Sequence, residues 1–217
     1  AAPHHFVDSH SISETFNAGA FAAAASTLLT ELFSQHNVVI LTGGSGLYIK
    51  ALTDGIDELP DTDPALRKTL NELFREKGIA ALQEELQHAD PQYFATVDRN
   101  NHRRLIRALE IIRSSGKPYS SFLGISKPAR DYSVRNYAID YPRDELYARI
   151  DARVDRMVAQ GLVEEVKGLL PYRSHPALRT VGYQELFAYF DEQCTLEEAI
   201  ALIKQHSRNY AKRQVTW

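Results

Sequence analysis

The sequence predicts an α/β fold into which a helical segment is inserted. The apolar run at residues 38–41 is typical of a buried strand, and it leads into the glycine turn 43–46, after which a helix is expected near Leu47. A later run, residues 134–139, has alternating side-chain character and also favours a strand. Between the two runs the apolar residues recur at helical spacing, so residues 54–131 are expected to form a helical insertion.

Caps and hydrophobic spacing assign the other elements and the domain organisation. The predicted organisation is a first core segment at 1–53, the helical insertion at 54–131, and a second, mostly helical core segment at 132–217. Helices are expected at 17–34, 64–77, 79–87, 101–115, 143–160 and 162–170, and from a capping box at Thr195 to the end of the chain.

The composition is that of an ordinary globular protein and excludes several classes of site. Of the 217 residues, 44% are hydrophobic and 24% are charged, and no apolar run approaches the ~20 residues of a membrane span. We therefore expect no membrane partner. The single cysteine, Cys194, excludes an internal disulfide and favours a reducing cytoplasm. His4, His5 and Asp8 do not provide three ligands at the spacing that a metal site needs, so no metal-binding residue is predicted.

Charge is distributed unevenly along the chain. Residues 1–100 carry 6 basic and 14 acidic side chains, a balance of −8, whereas residues 101–217 carry 19 and 14, a balance of +5. The asymmetry favours a polyanionic partner for the second half. The alternative, that these arginines are simply solvated, stays open.

The glycine turn is the first candidate binding element. Its glycines allow close approach of a ligand to the backbone, and amides at a helix start attract phosphate. Ser45 adds a hydroxyl group at the tip of the turn. The turn is not a Walker A loop, because no Lys-Ser or Lys-Thr pair follows the glycines. An ordinary strand-to-helix turn is the alternative interpretation.

Two arginine clusters on predicted helices are candidate anion sites. Arg103 and Arg107 share a helix face with Arg104 beside them, near a helix N-terminus whose dipole disfavours cations. Further along, three arginines at positions i, i+4 and i+7 form a stripe that suits a diphosphate, because each guanidinium can donate to two oxygens. These arginines are Arg149, Arg153 and Arg156. The alternative for the first cluster is that its arginines pair with carboxylates elsewhere, and the alternative for the second is a solvated charged face.

The last predicted helix mixes basic and aromatic side chains. This mixture suits nucleic acid, with cations for the phosphates and rings for packing. Cations near a helix C-terminus are also favoured by the helix dipole alone. The residues concerned are Lys204, Arg208, Lys212 and Arg213, with Tyr210 and Trp217 between or after them.

These pieces occur together in one family, which the chain resembles over essentially its whole length. The chain is similar to the tRNA dimethylallyltransferases, also called tRNA isopentenyltransferases. Six segments in the same order carry the resemblance: 3–8 (PHHFVD), 43–48 (GGSGLY), 103–110 (RRLIRALE), 149–153 (RIDAR), 181–183 (VGY) and 208–217 (RNYAKRQVTW).

The resemblance implies a P-loop NTPase-like parallel-sheet core, incomplete in this chain, with an inserted helical domain that binds the tRNA anticodon stem-loop. It implies transfer of a dimethylallyl group from dimethylallyl diphosphate to N6 of the adenosine 3′ of the anticodon, with Mg²⁺ as cofactor. A monomer is expected.

The resemblance also assigns residues by position. Arg153 is expected to be catalytic and to bind the diphosphate, with Arg149 as a supporting cation. The residues expected to contact tRNA are Ser45, Arg67, Arg103, Arg104, Leu105, Ile106, Arg107, Arg208, Lys212 and Arg213.

Two departures from the family pattern limit what the resemblance implies. Gln184 stands where the family usually has a basic residue, so an anion role is not expected there. The family's phosphate loop and general base precede the segment 3–8, so this polypeptide is expected to have little transferase activity while the full-length protein is active.

Three rival functions remain at the level of sequence. An adenylate isopentenyltransferase would use a free nucleotide as acceptor, a kinase-like core would turn over ATP, and a non-catalytic module would only bind RNA. The long helical insertion and the basic stretch at 103–107 favour a macromolecular acceptor over the free nucleotide.

Overall fold

The computed structural model describes residues 2–14, 16–124 and 130–215, and these segments are helical with connecting loops. The helices are α1 (Ala18–Phe33), α2 (Gly46–Thr53), α3 (Pro64–Ala89), α4 (Pro91–Phe94), α5 (His102–Ser115), α6 (Arg143–Ala159), α7 (Leu162–Gly168), α8 (Tyr183–Phe190) and α9 (Leu196–Val215). Short 3₁₀ helices cover Tyr119–Phe122, Leu170–Tyr172 and Pro176–Leu178.

The predicted α/β fold with a P-loop NTPase-like parallel sheet is wrong for the described part of the chain, which contains no β-strand. Residues 38–41 and 134–139 make no backbone hydrogen bond to another described segment. Their apolar side chains are not buried either, since Val38 is 77% and Ile139 is 85% exposed. An alternating pattern reports β-propensity, but a strand exists only where a neighbouring strand pairs with its backbone.

The chain divides into two compact units. Unit 1 consists of Ala1–Ile49 and Tyr132–Trp217, and unit 2 is the continuous stretch Lys50–Asp131. The predicted division at 1–53, 54–131 and 132–217 stays a prediction. None of the helices in the described segments combines the length and the hydrophobicity that crossing a lipid bilayer requires.

Unit 2 is built on the packing of α3 against α5. Asp63 caps α3 by accepting from the Ala65 amide at 2.8 Å, and Asn101 caps α5 by accepting from the Arg104 amide at 3.3 Å. Gly116, with φ of +69°, ends α5. The fully buried core side chains include Leu70, Leu82, Leu86, Leu105 and Leu109.

Asp90 is a buried carboxylate that connects two segments of unit 2. Its side chain is 1% exposed, and it accepts hydrogen bonds from the Tyr93 amide at 3.0 Å, the Ser120 amide at 2.6 Å and the Ser120 hydroxyl at 2.9 Å. A buried carboxylate that accepts three hydrogen bonds is compensated for its lost hydration. Asp90 therefore ties α4 to the 3₁₀ helix at Tyr119–Phe122.

A glycine with a positive φ interrupts α3. Gly78 has φ of +74° and ψ of −173°, a combination that residues with a Cβ avoid, although a Cβ there would meet no atom within 4 Å. We expect Gly78→Ala to lower the free energy of unfolding by about 1–3 kcal/mol, through backbone strain and not through a clash. Urea denaturation followed by circular dichroism measures the change.

The matched control is Gly168→Ala. Gly168 is the last residue of α7 and has no positive φ, and a Cβ at this position would likewise meet no atom within 4 Å. This substitution should be neutral or slightly stabilising, because alanine restricts the unfolded chain more than glycine does. Equal destabilisation by both substitutions would contradict the assignment of strain to Gly78.

Unit 1 gathers α6 to α9 around a second core. Its buried side chains include Val154 of α6, Val166 of α7, Leu186 of α8 and Ile203 of α9. The predicted capping box of α9 is confirmed: the Thr195 amide donates to Glu198 at 2.8 Å, and the Glu198 amide donates to the Thr195 hydroxyl oxygen at 3.2 Å. These contacts fix the start of α9, which packs against α6 and α8.

Candidate functional site

The α6 helix presents three of its four arginines on one face. Arg149, Arg153 and Arg156 line a single open groove of about 620 Å³ together with Glu145. The first turn of α6 is acidic, with Asp144 and Glu145, as the helix dipole favours. The predicted stripe therefore exists as a continuous surface of unit 1.

The three arginines differ in how they are held. The guanidinium of Arg149 lies 4.5 Å from the ring centroid of Tyr141, and its Nη1 is 3.8 Å from Glu145 Oε1. In the described part of the chain, Arg153 and Arg156 make no ion pair and no side-chain hydrogen bond. Two guanidinium groups of this face are thus available to an anion.

The opposite face of α6 is neutralised by α9. Asp151 Oδ1 lies 2.5 Å from Arg208 Nη1, and Asp155 Oδ1 lies 2.6 Å from Lys204 Nζ. These two carboxylates of α6 are therefore engaged away from the arginine face, where Glu145 is the acidic side chain that lines the groove. Arg208, predicted to contact tRNA, has its guanidinium bound to Asp151 and 5.9 Å from the ring centroid of Tyr147.

The end of α9 also contacts the glycine turn. Gln214 Nε2 donates to the Gly44 carbonyl oxygen at 2.9 Å. Ser45 is exposed and starts α2, since its carbonyl oxygen accepts from the Tyr48 and Ile49 amides at 3.1 and 3.2 Å. Within the described residues, no hydrogen bond or ion pair joins Ser45 to Arg153. The structure thus links both candidate elements to α9, without a direct contact between them.

Two further predicted tRNA contacts lie in the last turns of α9. Lys212 and Arg213 are exposed, and the Arg213 guanidinium lies 5.6 Å from the ring centroid of Tyr210. Both side chains have interaction partners within the chain. Their predicted contact with RNA stays a prediction, as does that of Ser45.

In unit 2 the segment 103–107 divides between surface and core. Arg103 and Arg104 are exposed at the start of α5, but the side chains of Leu105 and Ile106 are 0% and 4% exposed. These two apolar side chains were predicted to contact tRNA, whereas the structure places them in the core. They pack α5 against the core of unit 2, and their predicted contact with tRNA stays a prediction.

Arg67 and Arg107 both contact one buried carboxylate. Glu110 is 1% exposed; Arg67 Nε and Nη2 donate to its two oxygens at 2.6 and 2.8 Å, and Arg107 Nη1 lies 3.5 Å from Oε2. Sequence reasoning missed Glu110, although a signal was present. A single acidic residue between Leu109 and Ile111 on a buried helix face requires a cationic partner.

The segment 181–183 organises unit 1. The Gly182 amide donates to Glu185 Oε2 at 2.7 Å, and the other carboxylate oxygen of Glu185 is 2.5 Å from His206 Nδ1. Tyr183 donates its hydroxyl to Glu165, a hydrogen bond that, with partial burial, raises the pKa of Tyr183 to about 12. This segment therefore connects α7, α8 and α9 and supports the helices that carry the arginines.

Comparison with known proteins gives a consistent result. The sequence profile of the IPP transferase family matches residues 1–217. A tRNA dimethylallyltransferase of Cytophaga hutchinsonii is 48% identical over 99% of this chain and 71% of its own length. One of Christiangramia forsetii is 47% identical over 100% of this chain and 72% of its own length.

Solved structures agree with these sequence matches. The tRNA isopentenylpyrophosphate transferase of Bacillus halodurans matches with a TM-score of 0.60 and 36% identity, over 99% of this chain and 68% of that one. A eukaryotic dimethylallyltransferase acting on tRNA has a TM-score of 0.71 at 23% identity, over 95% of this chain and 53% of that one, and supports the fold alone.

Proposed function

The chain belongs to the IPP transferase family, and we propose that the full-length protein containing it transfers a dimethylallyl group from dimethylallyl diphosphate to N6 of the adenosine 3′ of the anticodon in tRNA. The relatives named tRNA dimethylallyltransferase match nearly its whole length, which supports this activity. The observation that carries the proposal is the arginine face of α6, where Arg153 has no ion-pair partner among the described residues.

The chemistry requires such a face. The allylic C–O bond breaks, its electron pair leaves with the diphosphate, and the carbon forms a new bond to N6, which loses a proton to a base. Negative charge therefore grows on the diphosphate oxygens in the transition state, where fixed cations are most effective. Arg153 stabilises that charge, and Arg149, held by Tyr141 and Glu145, supports it. The base is not assigned to a residue of this chain.

The acceptor is a macromolecule in this proposal. The adenosine must leave its stack to reach the donor, at a cost of roughly a few kcal/mol that contacts with the protein recover. Arg103 and Arg104, exposed at the start of α5, supply cations for the RNA backbone. We propose the tRNA anticodon stem-loop as the partner and a monomer in the cytoplasm as the working form.

We also propose Mg²⁺ as cofactor, bound through the oxygens of the diphosphate. Within residues 2–14, 16–124 and 130–215, no three His, Cys, Asp or Glu side chains are grouped so that they could hold a metal ion. Magnesium in phosphate chemistry commonly keeps several waters and binds the substrate oxygens. A metal ion bound mainly through the substrate needs no such group of protein ligands.

The test compares acceptors for the full-length protein. Labelled dimethylallyl diphosphate is supplied with an anticodon stem-loop, with the same stem-loop carrying guanosine in place of the target adenosine, and with AMP. We expect label on the adenosine-containing RNA only. Transfer to AMP with equal efficiency would instead indicate an adenylate isopentenyltransferase, and binding of the stem-loop without any transfer would indicate an RNA-binding module.

A further inference from the structure

Unit 2 contains a cluster in which two arginines share one buried carboxylate. The Glu110 cluster consists of Glu110, Arg67, Arg107 and Thr62. Arg67 makes a bidentate pair with Glu110, and Arg107 Nη1 lies 3.5 Å from the same carboxylate and donates to the Thr62 hydroxyl oxygen at 3.4 Å. The cluster joins the start of α3 to the middle of α5.

The cluster carries more positive charge than its own stability requires. One carboxylate faces two guanidinium groups, so the cluster has a net charge of +1, and the bidentate pair with Arg67 alone would neutralise Glu110. A matched pair in the same unit shows the neutral arrangement: Arg113 donates to both oxygens of Glu85 at 2.8 and 2.7 Å, again between α5 and α3, with one arginine for one carboxylate.

The excess charge faces solvent while the carboxylate does not. The side chains of Arg67 and Arg107 are 56% and 38% exposed, whereas that of Glu110 is 2% exposed. Glu110 accepts from two of the five N–H donors of Arg67, which leaves three, and no described residue accepts from those three. Planar donors fixed in this way match phosphate oxygens.

We infer that Glu110 is a positioning residue that holds Arg67 and Arg107 as a paired contact for an RNA backbone phosphate. The inference rests on the proposed function, because it assigns the anion to the tRNA acceptor. Arg103, one helical turn before Arg107, extends the same cationic surface along α5. Glu110 acts through the arginines: it fixes their guanidinium planes before RNA arrives, so less side-chain freedom is lost on binding.

Glu110→Gln tests the positioning role, because a net-charge effect and a positioning effect change the affinity for the stem-loop in opposite directions. If only net charge mattered, removal of a carboxylate beside an RNA site would tighten binding. We expect the reverse, about tenfold weaker stem-loop binding with kcat unchanged, since glutamine offers one acceptor oxygen and turns its amide hydrogens toward the arginine donors. Fluorescence anisotropy over a range of salt concentrations measures the affinity, and unchanged or tighter binding overturns the inference.

Arginine variants separate positioning from a merely structural role. Arg67→Gln and Arg107→Gln should each weaken binding about tenfold and lower the slope of log affinity against log salt by about 1. Adding Glu110→Gln to the double arginine variant should cause no further loss, because the carboxylate then has nothing to position. An additive loss overturns the inference. Arg113→Gln, which breaks the neutral matched pair, should leave affinity and slope unchanged.

Lysine variants and the wild-type protein provide two further measurements. If Glu110→Gln does not fold, Arg67→Lys and Arg107→Lys decide, because lysine keeps the charge but cannot donate in a planar fork; unchanged affinity in both overturns the inference. If the wild-type protein binds the stem-loop without prenylating it, the proposed function is wrong, but the effect of Glu110 on affinity can still be measured. Wild-type protein that does not bind the stem-loop overturns the inference itself.

Discussion

Replacing Arg153 with glutamine in the full-length protein should lower kcat for prenyl transfer by about 100- to 1,000-fold, the usual loss when one fixed donor to a developing oxyanion is removed. Arg153 lies on the arginine face of α6 and has no ion-pair partner within the described residues. Its charge is therefore free to act on the leaving diphosphate. Single-turnover transfer to an anticodon stem-loop measures the rate of the chemical step.

The same variant should bind tRNA almost as well as the wild type. A contact that strengthens only as the C–O bond breaks affects kcat and not ground-state affinity. The matched control is Arg173→Gln, in the same unit, whose guanidinium is already paired with Asp191 at 2.6 Å and should leave kcat unchanged. A loss of RNA affinity as large as the loss in rate would instead favour the RNA-binding module.

The helices could be predicted from the sequence because their signals are local. A helix was expected at 17–34, and the side chain of its first residue, Asn17, accepts from the Ala20 amide at 3.0 Å. A second helix was expected to end at 160, and Gly161, which follows, adopts φ of +102°. A cap and the turn that it closes are only three or four residues apart, so a short stretch of sequence contains both partners.

The strands could not be predicted in the same way. The segments 38–41 and 134–139 have the residue types of strands, but a strand is completed by a partner whose position in the chain the local pattern does not give. Among the described residues neither segment has such a partner. The error therefore lies in treating β-propensity as pairing.

The candidate site also combines features that local spacing predicts with features that it does not. The spacing of Arg149, Arg153 and Arg156 predicted a shared face, which the groove on α6 confirms. Which arginines form ion pairs depends on carboxylates that are distant in the sequence. Arg208 pairs with Asp151, 57 residues away, and Arg67 pairs with Glu110, 43 residues away. Such partners follow from the packing of helices and cannot be assigned from spacing within one helix.

Truncation of the core beneath α5 should produce the largest loss of stability. Leu109 is 0% exposed in the core of unit 2, one residue before Glu110 and on the helix that carries Arg103 and Arg107. We expect Leu109→Ala to lower the free energy of unfolding by about 2–5 kcal/mol, through lost transfer energy and the cavity left behind. Urea denaturation, with hydrogen exchange of the α5 amides as a local probe, measures the loss.

The loss of packing should also weaken RNA binding, although Leu109 cannot touch RNA. The arginines of α5 contact a phosphate effectively only while the helix beneath them is fixed against α3, so a larger open fraction of α5 lowers the population that can bind. The control is Leu123→Ala, a leucine of unit 2 that is 37% exposed, which should change the free energy of unfolding by only about 0.5 kcal/mol. If Leu109→Ala destabilised unit 2 as expected and left stem-loop affinity unchanged at low denaturant, the arginine surface of α5 would not be where the RNA binds.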